Sequence, residues 1–158
     1  MNPVDELSMR EKSALISLLA VLLVYGGYFV DLVRGVAEPT LSAMLYTSVC
    51  VVIVLVVIEI VFHIVLGTYN TEDAMAPADE RDREISRRAR AFSHQLLSAG
   101  VILVLGRAII GGALFESNRL EEVTLYEVAN LLLFALVVSE LVFYGAQVYF
   151  YRRGVDAF

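Results

Sequence analysis

Tryptophan is absent from these 158 residues, cysteine occurs once, histidine twice and proline three times. Without tryptophan, any aromatic belt at a membrane–water boundary falls to the eight tyrosines. The single cysteine, Cys50, excludes an internal disulfide and a cysteine-held cluster. Set in an apolar run, it reads as a small residue facing lipid or another helix. Charge is scarce too: only 19% of residues are charged, and the formal net charge is −6. An acidic chain lacks the basic face that nucleic-acid binding needs, so no nucleic-acid partner is expected.

Hydrocarbon fills the space that charge leaves. Hydrophobic residues make up 58% of the chain, with a mean hydropathy of +0.70, more than a soluble domain carries. Four runs are long enough to span a bilayer: 13–33, 43–66, 93–114 and 126–150. Only helices satisfy their own backbone in lipid without closing into a barrel. The expectation is an all-α, four-transmembrane-helix bundle forming a single integral membrane domain over 1–158, with the lipid bilayer as its first partner. Asp5 and Glu6 near the start, and the lack of a small-residue cleavage pattern, make the first run a retained span and not a signal peptide.

Local signals agree. Thr40 or Ser42 can cap the second helix, and Thr124 with Glu127 forms a capping-box pattern ahead of the fourth. The stretch from Pro77 to Glu84 reads as a helix start with acids in its first turn. Asp79–Arg83 and Glu84–Arg88 are spaced as ion pairs one turn apart, and Ile85, Ala89 and Phe92 form an apolar stripe. The third helix is therefore expected to begin outside the membrane and run into it.

Basic residues are lopsided about the runs. Arg10, Lys12, Arg81, Arg83, Arg87, Arg88, Arg90, Arg152 and Arg153 lie on one side; Arg34 and Arg119 lie on the other, and Arg107 falls inside the third run. The positive-inside rule places both termini and the central loop in the cytoplasm. Arg87, Arg88, Arg90, Arg152 and Arg153 are then candidates for anionic lipid headgroups, and Tyr69, Tyr149 and Tyr151 for anchors at the same boundary.

The two halves also match. Arg10, Ser13, Val21, Leu23, Val24 and Gly26 recur 80 residues on as Arg90, Ser93, Val101, Leu103, Val104 and Gly106. Glu59 and Phe62 recur 81 residues on as Glu140 and Phe143, with His63 answered by Tyr144. The expectation is two parallel two-helix repeats, about 8–68 and 79–153, related by a pseudo-twofold axis along the membrane normal.

Several landmarks resemble a family of small four-span bacterial membrane proteins of unassigned function. They are Arg10 to Ser17, Val24 to Phe29, Ile58 to His63, Asp79 to Asp82 and the ending Tyr149 to Val155. The resemblance covers nearly the whole chain and implies a four-helix protein of the bacterial inner membrane. It carries over no catalytic residue.

Candidate chemistry gathers in one place. Glu59 and His63 project from one face of the second helix. Glu140, Tyr144, Gln147 and Tyr151 form a stripe on the fourth, and His94 opens the third at a similar level. The topology makes Glu59, His63, His94, Glu140 and Tyr144 a candidate intramembrane polar cluster.

Three readings stand for that cluster. It handles a proton or small cation; its glutamates only specify packing within an interaction or regulatory subunit; or it holds a metal on Glu59, His63, His94 and Glu140. No Glu-x-x-His motif is present, and His63 with His94 is the one possible haem pair, so neither a metal nor a haem cofactor is expected. Asp31 is the expected ion-pair partner of Arg107. Ser13 with Ser17, Gly26 with Gly27, and Ala108 with Gly112 offer close-packing surfaces. No phosphate-binding loop, Ser-His-Asp arrangement or zinc-protease helix occurs, so the expectation is not an enzyme. A homo-oligomer or a partner membrane protein is compatible with so slender a bundle.

Overall fold

The computed structural model describes residues 8–35, 40–69, 79–116 and 124–154. Among them every regular element is α-helical: α1 (Met9–Val33), α2 (Leu41–Tyr69), α3 (Glu80–Glu116) and α4 (Leu125–Arg153).

Each start is set by a side chain that takes up an orphan backbone donor. The Ser8 hydroxyl accepts from the Glu11 N–H at 3.2 Å at the head of α1. Thr124 accepts from the Glu127 N–H at 3.1 Å at the head of α4. At α3 the exchange is reciprocal: Asp79 accepts from the Asp82 N–H at 2.6 Å, and Asp82 accepts from the Asp79 N–H at 3.4 Å. This occupies the Asp79 carboxylate, so the expected pairing with Arg83 gives way to a cap; Glu84–Arg88 does form, at 2.8 Å. Pro77 lies outside the described residues. Thr40 occupies the position before α2, and the Ser42 hydroxyl donates to it at 3.5 Å. α1 ends at Gly35, whose φ of 68° is the left-handed turn that stops a helix without a Cβ clash.

Three of these helices are long and apolar enough to cross a membrane: Met9–Val33, Glu80–Gly111 of α3, and Leu125–Arg153. In α2 the apolar stretch among described residues is the shorter Ser48–Ile58. The all-helical class is as expected from sequence. With 37 residues, α3 is about 55 Å long against a hydrocarbon core of about 30 Å, longer than a single crossing needs.

α4 is the hub. α3 packs along it most extensively and α1 next; α2 lies against α1 and only grazes α4. The helices thus form a row, α2–α1–α4–α3, and among the described residues α2 and α3 do not pack together. Between α1 and α4 the core is Val21, Tyr25 and Val137, backed by Phe29, Leu133, Leu141 and Tyr144. Between α3 and α4 the helices close on a glycine: a Cβ on Gly100 would stand 2.7 Å from the Ala135 Cβ. Gly26 and Gly27 do not serve this purpose, since nothing lies within 4 Å of where their Cβ atoms would be. On the outward faces of the apolar stretches Leu23, Leu103 and Ile109 are at least 70% exposed, a surface suited to lipid and not to water.

Gly100→Ala is expected to force α3 away from α4 and cost about 1–3 kcal/mol, read as a lower unfolding midpoint in detergent. Adding Ala135→Gly is expected to recover part of the loss; no recovery would show that the close approach is not what Gly100 provides.

Candidate functional site

The site is built from the polar face of α4. Its helical spacing turns Glu140 and Tyr144 toward α1, where both are half-buried. Tyr144 packs on the Val21–Tyr25–Val137 core, and Glu140 stands close enough to Tyr25 for their charges to interact. The buried Ser139 hydroxyl beside it donates to the Leu136 carbonyl at 2.7 Å. Two turns and more toward the far end, the Tyr28 hydroxyl donates to Asn130 Oδ1 at 2.6 Å, and Asn130 Nδ2 donates back to the Tyr126 carbonyl at 2.9 Å. This buried hydrogen bond was not anticipated. An asparagine inside an apolar run was its one signal.

Of the other cluster members, only His94 has a described side chain. His94 is exposed, and its cleft of about 590 Å³ is lined among the described residues by α3 alone: Arg83, Ser86, Arg87, Arg90 and Ala91 with it. Glu59 and His63 sit one helical turn apart on α2, but their side chains lie outside the described residues. Among the described residues no group of three or more His, Cys, Asp or Glu is placed to hold a metal ion.

Arg107 corrects an expectation. Its guanidinium pairs with Glu127 at 3.1 Å, not with Asp31. The reason is the helix order: α3 lies against α4, whose first turn presents Glu127, while Asp31 is exposed near the end of α1. Glu127 therefore supplies its backbone N–H to the Thr124 cap and its carboxylate to Arg107.

A second polar assembly ties three helices where α1 begins, α3 begins and α4 ends. Arg10 pairs with Asp82 at 2.9 Å, and the Tyr151 hydroxyl donates to the other Asp82 oxygen at 2.9 Å. Arg81 donates to the Tyr151 carbonyl at 3.1 Å. Arg152 pairs at 3.0 Å with Glu11, whose side chain is 9% exposed. Together with Ser8, Met9 and Asp79, the first of these groups line a polar cleft of about 290 Å³. Tyr151, expected from sequence as a boundary anchor and as the last member of the α4 stripe, also joins the helix ends through its hydroxyl. Below this knot Ile85, Ala89 and Phe150 are almost fully buried, and the Phe92 and Phe150 rings lie 6.3 Å apart.

Of the candidate headgroup arginines, Arg87 and Arg88 both pair with Glu84, at 2.7 and 2.8 Å, and Arg152 with Glu11; Arg90 and Arg153 are exposed. Hydrogen bonds from Arg87 and then Arg88 pull the Glu84 carboxyl from its ordinary 4.5 down to about 2. Chemically, the arrangement offers fixed charges at one end, a single buried hydroxyl–amide pair, and a carboxyl held beside a tyrosine in the seam.

No family model, no curated protein and no solved structure matches the chain. The resemblance to four-span bacterial proteins rests on its sequence landmarks alone.

Because the Glu84 carboxyl is depressed in the folded chain, its contribution to the head of α3 is present above about pH 4.5 and lost as pH falls through about 2. A carboxyl titration by NMR is expected to show a midpoint near 2. Arg87→Gln with Arg88→Gln is expected to return it toward 4.5; a midpoint near 4.5 in the parent chain would rule out the fork of arginines on Glu84.

Proposed function

We propose that the chain is a four-span protein of the bacterial inner membrane, with both termini cytoplasmic and two parallel two-helix repeats. In this reading it is a non-catalytic interaction or regulatory subunit whose intramembrane carboxylates specify helix packing. The setting of Glu140 carries the functional part: half-buried where α4 meets α1, beside Tyr25, with Tyr144 one turn on seated in the apolar core. A polar group so placed penalises any rotation or slip of α4 that would deliver it to lipid.

Other observations support the architecture. α2 has 29 residues, about 44 Å of helix, which is ample for a bilayer core. Each proposed repeat packs its own pair, α1 on α2 and α3 on α4. The excess of arginine and lysine at the Arg10–Arg152 end favours a cytoplasmic setting, where Arg90 and Arg153 would meet anionic headgroups.

Proton or small-cation handling by Glu59, His63, His94, Glu140 and Tyr144 is the second reading, favoured by the half-buried carboxyl of Glu140 beside a tyrosine. The separate, exposed cleft around His94 weighs against it.

Reconstituted liposomes carrying a pH-sensitive dye distinguish the two. The parent chain is expected to give no flux above empty liposomes. Glu59→Gln with Glu140→Gln is expected to lower stability by about 1 kcal/mol, through weakened hydrogen bonds between helices. A parent flux of protons or cations that the double variant lacks would overturn the packing reading in favour of the second.

A further inference from the structure

Helical spacing puts Arg83, Arg87, Arg90 and His94 on one face of α3, where with Ser86 and Ala91 they line the cleft of about 590 Å³. This face looks away from α4, because the buried Ile85 and Ala89 and the close-packed Gly100 lie on the opposite side of the helix. The three arginines and His94 are exposed, and Ser86 is half-buried. Charge on this face is unbalanced. Asp79, one turn before Arg83, is committed to the helix cap, and among the described residues neither Arg83 nor Arg90 has an ion pair. Glu84 serves Arg87 and Arg88 together, so one carboxylate answers two guanidiniums. No carboxylate lines the cleft among the described residues. Hydrocarbon-facing surface follows directly. Farther along the same face Val101 is half-exposed and Leu105 exposed, within the stretch of α3 that is long and apolar enough to cross a membrane.

We infer that this cleft is the seat of a lipid with a phosphomonoester headgroup. A ligand complementary to the whole face is anionic at one end and apolar at the other, which describes an acidic lipid and neither a nucleic acid nor a soluble anion. The number of charges selects among lipids. A phosphomonoester carries about −1.5 to −2 at pH 7 and offers three acceptor oxygens, so one headgroup balances Arg83 and Arg90 together. A phosphodiester headgroup with a single charge leaves one of them unanswered. Guanidinium suits this partner, since its paired N–H donors match the geometry of phosphate oxygens. The Ser86 hydroxyl and the His94 imidazole add hydrogen-bonding groups at the same cleft. The acyl chains then run along Val101 and Leu105. A collar of arginines attracts every anionic lipid alike; this cleft ranks them by headgroup charge. The inference rests on the placement of the arginine end of α3 at the membrane surface, and it names the lipid bound there.

Native mass spectrometry of the purified chain, titrated in detergent with phosphatidic acid or phosphatidylglycerol, tests it. The expected result is one phosphatidic acid retained per chain at about a tenth of the concentration that phosphatidylglycerol needs, the gain from one further charge-assisted hydrogen bond. Arg83→Gln with Arg90→Gln is expected to abolish the preference. Arg34→Gln with Arg153→Gln, which removes two exposed arginines outside the cleft, is expected to keep it. Equal retention of the two lipids by the parent chain would overturn the inference, and so would a preference that survives the loss of Arg83 and Arg90. Displacement of the lipid by equimolar glycerol 3-phosphate or polyglutamate would overturn it as well, assigning the cleft to a soluble phosphate ester or an acidic protein segment. The placement of α3 is read separately, from a fluorophore on Gln95→Cys in a Cys50→Ala background, in vesicles carrying a headgroup spin label. Quenching together with equal lipid retention would remove this site alone. No quenching would remove the placement of α3 and this inference with it.

Discussion

An apolar helix gains little by leaving lipid for the surface of another apolar helix, because both surroundings are hydrocarbon. Contact must come from close approach and from polar groups that lipid cannot satisfy. In this chain both devices converge on α4. Gly100 lets α3 lie against Ala135 without a side chain between them, so dispersion contacts accumulate along both helices. On its adjoining face α4 holds α1 through Val137 and its neighbours, and through the Tyr28–Asn130 hydrogen bond. Remove α4, and neither α1 nor α3 retains an extended neighbour apart from α2 on α1.

Charge acts at the margins of this arrangement and sets its register. At one end Asp82 is shared between Arg10 of α1 and Tyr151 of α4 while its own N–H and carboxylate complete the cap of α3. Glu11 and Arg152 join α1 to α4 a turn away. At the other end Arg107 reaches Glu127. Where both partners are exposed, as at Arg107–Glu127, such pairs each contribute little, about 0–1 kcal/mol. Their number and their location on three different helices matter more: sliding α4 by one turn would break Glu11–Arg152, Tyr151–Asp82 and Arg107–Glu127 together.

What the sequence made legible follows from range. Caps are decided by three or four consecutive residues, so Thr124, Glu84–Arg88 and the start of α3 could be read directly. The apolar runs marked the three helices that are long and apolar enough to cross a membrane, because hydrocarbon demands unbroken hydrophobicity, although charged first turns extended α3 well before its apolar run. Long-range pairing was another matter. Arg107 had two acidic groups within plausible reach at the same end, and only the order of helices around α4 selects Glu127 over Asp31. Glycines misled for the same reason: Gly26–Gly27 looked like a contact surface, yet Gly100 makes the close approach, since composition does not say which face a neighbour occupies. The Glu140–Tyr144 pairing on one face came from helical period and is met in the seam; the step bringing His94 to it required α3 to turn that face inward, and His94 is exposed.

These outcomes bear on what an intramembrane glutamate signifies. A carboxylate in an apolar run is costly enough that a functional role is the natural first expectation. That expectation assumes the group is spent on a ligand. Here Tyr25 and the apolar core are among the surroundings of Glu140, while the cleft at His94 opens on another surface of α3. Under the packing reading the cost is offset because the seam excludes lipid from the group and disfavours other rotations of α4. Such a device works only where a second helix is present to form the seam.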